Sequence, residues 1–146
     1  MTIALLGSAA RTSSNFALPA IPNLRTVRAG VFLLNVTSAA SAESDTLDVY
    51  IQSSCDGTNF NDFIHFPRIY GNGGAKVYEA RWVRDVVPSS ETGDTAPAAM
   101  RAPKDKTMSV GVLQGLQGIT AWRIAWAISG GSSKSFTFSV LADLIR

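Results

Sequence analysis

From Thr46 to Ile69 the chain reads TLDVYIQSSCDGTNFNDFIHFPRI, and its first half alternates strictly. Leu47, Val49 and Ile51 fall on one side of an extended segment while Asp48, Tyr50 and Gln52 fall on the other, the period-two pattern of a half-buried strand. Asp56-Gly57 then supplies the positive backbone angle of a tight turn. A second apolar run follows, with Phe60, Phe63, Ile64 and Phe66, so the two runs together predict a hairpin.

The rest of the chain extends this β reading. Arg25 to Thr37, RTVRAGVFLLNVT, is apolar on both faces from Ala29 to Val36, which predicts a central strand covered on both sides. Ser38 to Asp45 is a small, polar loop. After the Gly71-Asn72-Gly73-Gly74 turn, Ala75 to Val83 resumes as a strand with Tyr78 and Trp82 on one face. In Ile119 to Ser129 the residues Trp122, Ile124, Trp126 and Ile128 alternate with Arg123, Ala125 and Ala127. Gly130-Gly131-Ser132-Ser133 turns the chain, and Ser135 to Leu144 returns with Phe136, Phe138 and Val140 on one face. This predicts a second hairpin, with Trp122, Trp126, Phe136 and Phe138 in the core. Met108 to Gln117 is compatible with a short helix or a strand.

Two stretches break the pattern. Thr2 to Leu6 reads as a short strand, but Gly7 to Leu24 mixes small and polar residues with Phe16, Leu18 and Ile21, and Pro19 and Pro22 interrupt it. An N-terminal strand and extended arm over residues 1–24 are expected, the arm's apolar residues covered by the parent domain or by a neighbouring subunit. Arg84 to Lys106, with Pro88, Pro97 and Pro103, is a long loop, and loops beyond about 12 to 15 residues are often functional or disordered. The expected fold is all-β: a two-sheet antiparallel β-sandwich or jelly roll of about seven or eight strands, over residues 25–146 as one domain.

Composition limits the function classes. The chain has 146 residues, enough for one core, and only 16% of them are charged. Low charge leaves much neutral surface, compatible with extensive protein contact or with a Ser- and Thr-covered sandwich. The net charge is +2 with the basic residues scattered, so nucleic-acid binding gains no support. Cys55 is the one cysteine, which leaves no intrachain disulfide and no thiolate cluster. No basic residue precedes the apolar Met1 to Leu6, so no cleaved export signal is expected, and no run approaches the ~18 to 20 apolar residues of a membrane helix. A soluble protein made in a reducing compartment is the expectation.

Little in the sequence carries chemistry. His65 is the one histidine, no G-x-S-x-G elbow occurs, and a packed or edge-strand role suits it better than catalysis. One His and one Cys cannot supply a zinc site. Asp56, Asn59, Asn61 and Asp62 have calcium-like spacing without the glycine and bidentate Glu of an EF-hand loop, so an ordinary turn is expected. The Gly-rich clusters lack the ending of a phosphate loop. Asn35-Val36-Thr37 is a glycosylation triplet inside a predicted buried strand and is read as incidental. No catalytic residue, cofactor or metal site is expected.

Four segments together resemble a family of small virion proteins of tailed bacteriophages. They are LLGSAARTSSN at Leu5 to Asn15, AGVFLLNVT at Ala29 to Thr37, LDVYIQSSCDGTNFNDF at Leu47 to Phe63, and AWRIAWAISGGSSKSFTFSV at Ala121 to Val140. The insert Arg84 to Lys106 departs from the family's simpler pattern. The resemblance implies a structural role, most simply a decoration (cement) protein on the capsid exterior. It would be made in the host cytoplasm, bind the major capsid protein and itself, and form a trimer. The arm residues Phe16, Leu18 and Ile21 are the expected contacts, with Val87, Met100 and Arg101 of the long loop as a second contact region. A neck, tail or fibre-base position is an alternative. Another is a carbohydrate-binding module, since Ile51 to Phe60 also resembles the strand and turn of galactose-binding-like sandwiches, and Tyr70, Tyr78 or Trp82 would stack on sugar rings.

Overall fold

In the computed structural model, which describes residues 1–22, 26–83 and 121–146, the chain is a β-sandwich with no helix among the described residues. The strands are β1 (Thr2–Arg11), β2 (Ile21–Pro22), β3 (Ala29–Ser38), β4 (Thr46–Ser54), β5 (Asn61–His65), β6 (Ile69–Tyr70), β7 (Lys76–Val83), β8 (Ala121–Ser129) and β9 (Phe136–Ile145). They form two antiparallel sheets. The first has the order β1-β9-β3-β7, and the second has the order β2-β8-β4-β5 with β6 also pairing with β4.

Alternation explains the core. Phe32, Leu34 and Val36 of β3 and Phe136, Phe138 and Val140 of β9 point inward from the first sheet, and Leu47, Val49 and Ile51 of β4 and Trp122, Ile124 and Trp126 of β8 answer from the second. An aromatic cluster sits where the layers meet. The Trp122 ring lies 5.2 Å from Phe32, 5.5 Å from Trp82 and 5.8 Å from Phe63, and Trp126 meets Phe138 edge-on at 5.7 Å. Such offset and edge-on pairs add to the burial of large apolar surfaces.

The Asp56-Gly57 hairpin forms as expected: β4 pairs with β5, and Gly57 takes a φ of 79°. The C-terminal pair does not form a hairpin. β8 hydrogen-bonds to β4 and β9 to β1 and β3, so Gly130 to Ser135 carries the chain from one sheet to the other. The two strands face each other through side chains, as the Trp126–Phe138 contact shows, rather than through backbone hydrogen bonds. Alternation marks a strand and its buried face, and it is the same for a hairpin and for such an arch. The crossing is held by Asp45, which is buried. Gly131 donates its backbone N–H to Asp45 Oδ1 at 2.8 Å and Ala42 donates to Oδ2 at 3.2 Å.

Burial of β3 and β4 is the reverse of the expectation. β3 is a central strand, but its outward residues Val31, Leu33 and Asn35 are half-exposed, while the outward residues of β4, Asp48, Tyr50 and Gln52, are buried. Long side chains lying across β4 make the difference.

The N-terminal segment also differs. β1 runs to Arg11 instead of ending at Leu6, because β9 offers it a full edge, with register shifts between Ala4 and Leu6 and between Leu6 and Ala9. Arg11 then closes the gap between the sheets. Its guanidinium donates to the carbonyls of Phe138 at 2.7 Å, Ala9 at 2.8 Å and Gly7 at 2.7 Å, and lies over the Phe138 and Trp126 rings at 4.5 and 5.0 Å. Burial lowers its pKa from the usual arginine value.

Candidate functional site

Polar chemistry concentrates on the outer face of the second sheet. Asp48, the third residue of β4, has a side chain only 7% exposed. Its Oδ1 lies 3.1 Å from His65 Nε2, and its two oxygens accept from Arg68 Nε and Nη2 at 3.0 to 3.1 Å. Burial works to raise the Asp48 pKa, but the hydrogen bonds from His65 and Arg68 outweigh it and leave the carboxyl below its usual value. The His65 ring in turn stacks on Tyr50 at 4.4 Å. Further along the same face of β4, Gln52 is locked between strands: its Nε2 donates to Asp62 at 2.7 Å, and its Oε1 accepts from Arg123 Nε at 2.7 Å. Arg123 lies over the Phe60 ring at 4.2 Å.

Arg68 links this face to a cleft of about 730 Å³ where the chain passes from β6 to β7. Glu43, Ser44, Arg68, Tyr70, Asn72 and Lys76 bring the polar groups to its walls, with Ile69, Gly73 and Tyr78 completing the lining. Pairing of β6 with Thr46 and Leu47 turns Ile69 into the core and leaves Tyr70 outward and 52% exposed. The floor is tied down by the backbone: Gly71 donates to the Asp45 carbonyl and Ser41 to the Gly71 carbonyl, both at 2.9 Å. A Cβ at Gly71 would lie 2.2 Å from the Ala42 carbonyl oxygen, so no other residue lets the two loops approach this closely.

The expected contact residues fall in different environments. Asn15 exchanges backbone hydrogen bonds with Trp126 at 2.9 Å, and Ile21 pairs with Trp122, so the arm borders β8 of its own domain. Leu18 and Ile21 pack against the core. Phe16 stays 42% exposed and tilts against Tyr50 at 6.3 Å. Val87, Met100 and Arg101, with Met108 to Gln117 and the whole long loop, lie outside the described residues.

Among the sugar-stacking candidates, Trp82 is corrected: it is buried in the aromatic cluster. Tyr70 and Tyr78 are brought together in the same cleft. Asp56 is occupied by its own turn, accepting from the backbone of Asn59 and Thr58 and from the side chains of Asn59 and Ser54, which hold its pKa low. Asp62 faces Gln52 instead, so the two carboxylates do not converge.

Sequence reading missed Asp45, Asp48 and Arg68. The one signal for Asp48 is a carboxylate inside a strand whose other residues are apolar or uncharged.

Comparison with protein-family models, curated proteins and solved structures returns no match. The chain's own surfaces therefore carry the functional reading. Besides the cleft, the outward face of the first sheet stands out. Register aligns Val83, Ala29 and Ile145 in one row and Glu79, Leu33, Leu141 and Ala4 in another, with Val31 between Arg81 and Asp143 and an ion pair joining Arg81 to Glu79. Val77, Val83 and Ile145 are 64%, 50% and 61% exposed.

Proposed function

We propose that this chain is a structural protein of a tailed-bacteriophage virion, of the decoration type that sits on the capsid exterior and holds neighbouring subunits together. The observation that carries the reading is the group of aliphatic side chains left on the outer face of the first sheet, set among Arg81, Glu79 and Asp143. A surface with Val77, Val83 and Ile145 exposed and Val31, Leu33 and Leu141 half-exposed is what a protein that works by contact presents. The four sequence segments that resemble virion proteins support the same conclusion. So does the placing of Phe16, the arm residue with apolar surface left over after folding.

In this role the protein binds the assembled shell and not the dispersed coat subunits, so each bound copy shifts the equilibrium against disassembly. Repetition over the shell multiplies a modest affinity. The partners are the major capsid protein and other copies of this chain, the latter as a trimer. The test is co-sedimentation of the purified full chain with heads of the phage that encodes it, with and without Leu33→Asp. Because a buried, unpaired charge opposes contact, binding is expected to weaken by roughly tenfold or more. Equal binding by the two proteins, or no binding by either, overturns the proposal.

A further inference from the structure

The cleft between β6 and β7 belongs to neither the apolar face nor the arm, and its chemistry is of another kind. We propose that it is a binding site for an uncharged saccharide, with one sugar ring laid on Tyr70. The reading does not rest on the virion assignment.

Three features lead to it. First, the volume of about 730 Å³ falls within the roughly 300 to 1,000 Å³ of small-ligand sites. Second, the wall combines an exposed aromatic ring with donors and acceptors in one place. Tyr70 offers an apolar face for the C–H face of a pyranose. Lys76 and Arg68 donate, Glu43 accepts, and Asn72 and Ser44 do both, the combination that neighbouring hydroxyls satisfy. Third, the charges balance. Arg68 and Lys76 share the wall with Glu43, and Asp48 sits directly behind Arg68, so both signs of charge are present at the site. An acidic peptide would meet Glu43 and bring few hydroxyls.

The site is also built in advance. Asp48 grips the Arg68 guanidinium through both its oxygens, and Asp48 is itself held from the other side by His65. The guanidinium is thus oriented before any ligand arrives, while the Arg68 side chain stays 41% exposed at the cleft. Pre-oriented donors lower the ordering cost of binding. Asp48 and His65 are positioning residues here, and Tyr70, Asn72, Lys76, Glu43 and Arg68 make the contacts.

The experiment applies the full chain to an array of neutral oligosaccharides built from hexoses, N-acetylhexosamines and deoxyhexoses, with uronic-acid glycans and an acidic peptide as comparison probes. Any neutral hit is followed by amide chemical-shift mapping and by the variants Tyr70→Ala and Asn72→Ala. The expected result is binding to a neutral glycan, shifts centred on residues 69–78, and a loss of about tenfold or more in Tyr70→Ala with an unchanged melting curve. Because Tyr70 is more than half exposed, that variant keeps its fold. Binding to no neutral glycan, binding to the acidic probes alone, or neutral binding that survives Tyr70→Ala overturns the proposal. None of these outcomes bears on capsid binding, which is measured separately.

Discussion

Asp48 lies among apolar strands with its charge intact because Arg68 and His65 meet it there. Its folded pKa is depressed, so the stabilisation is complete above the unfolded carboxylate value of about 4 and is lost as pH falls through the lower folded value. Asp48→Asn is expected to lower stability by about 2 kcal/mol at neutral pH and to flatten the fall in melting temperature below about pH 4. Thermal melts of both proteins between pH 2 and 7 check this. Gly130 is a second single-residue constraint. Its φ is 133°, and a Cβ there would lie 2.0 Å from Asp45 Oδ1. Gly130→Ala should therefore cost about 2 kcal/mol or more, measured by denaturant unfolding, because a forbidden backbone angle and a steric clash coincide.

At the scale of elements, the N-terminal segment is structural before it is anything else. β1 completes the first sheet against β9, Arg11 closes the end of the sandwich, and residues 15–22 border the free edge of β8. Covering an edge in this way removes a template for unwanted strand pairing. Deleting residues 1–11 would uncover the β9 edge and the part of the core that Ile3, Leu5 and Leu6 cover. The expected outcome is loss of cooperative unfolding and gain of dye binding, seen by calorimetry and by ANS fluorescence. The sharper probe of the arm as a contact is Phe16→Ala. With Phe16 42% exposed, the substitution should cost only about 1 kcal/mol of stability yet reduce capsid binding. Unchanged co-sedimentation would remove Phe16 from the interface.

At the scale of the whole molecule, the aromatic cluster joins the two sheets. Trp122 touches Phe32 and Trp82 from the first sheet and Phe63 from its own. Trp122→Ala should cost about 3 to 5 kcal/mol, as truncation of a fully buried aromatic does, and a urea titration followed by the remaining tryptophan fluorescence measures it. The outer surfaces are divided. The first sheet faces outward with Val31, Leu33 and Ile145, and the second with a hydrogen-bonded layer over Asp48, Tyr50 and Gln52. One sandwich therefore presents aliphatic side chains on the outer face of its first sheet and, at the β6–β7 end, a polar cleft.

Local periodicity by itself determined that the chain is β, where β3, β4, β7, β8 and β9 lie, which side of β4, β8 and β9 is buried, and where Gly57 turns the backbone. Each of these follows from neighbours within a few residues. Pairing does not, and only the tertiary structure decided it. A Gly-Gly-Ser-Ser link between two alternating strands suits a hairpin and an arch equally, and the choice went to the arch because β4 and β3 supply the hydrogen-bonding partners while Asp45 anchors the crossing. The cleft was illegible for the same reason. Glu43, Arg68, Tyr70 and Lys76 are ordinary surface residues until β6 pairs with β4 and Gly71 packs against Ala42, which brings three separate stretches of chain to a single hollow.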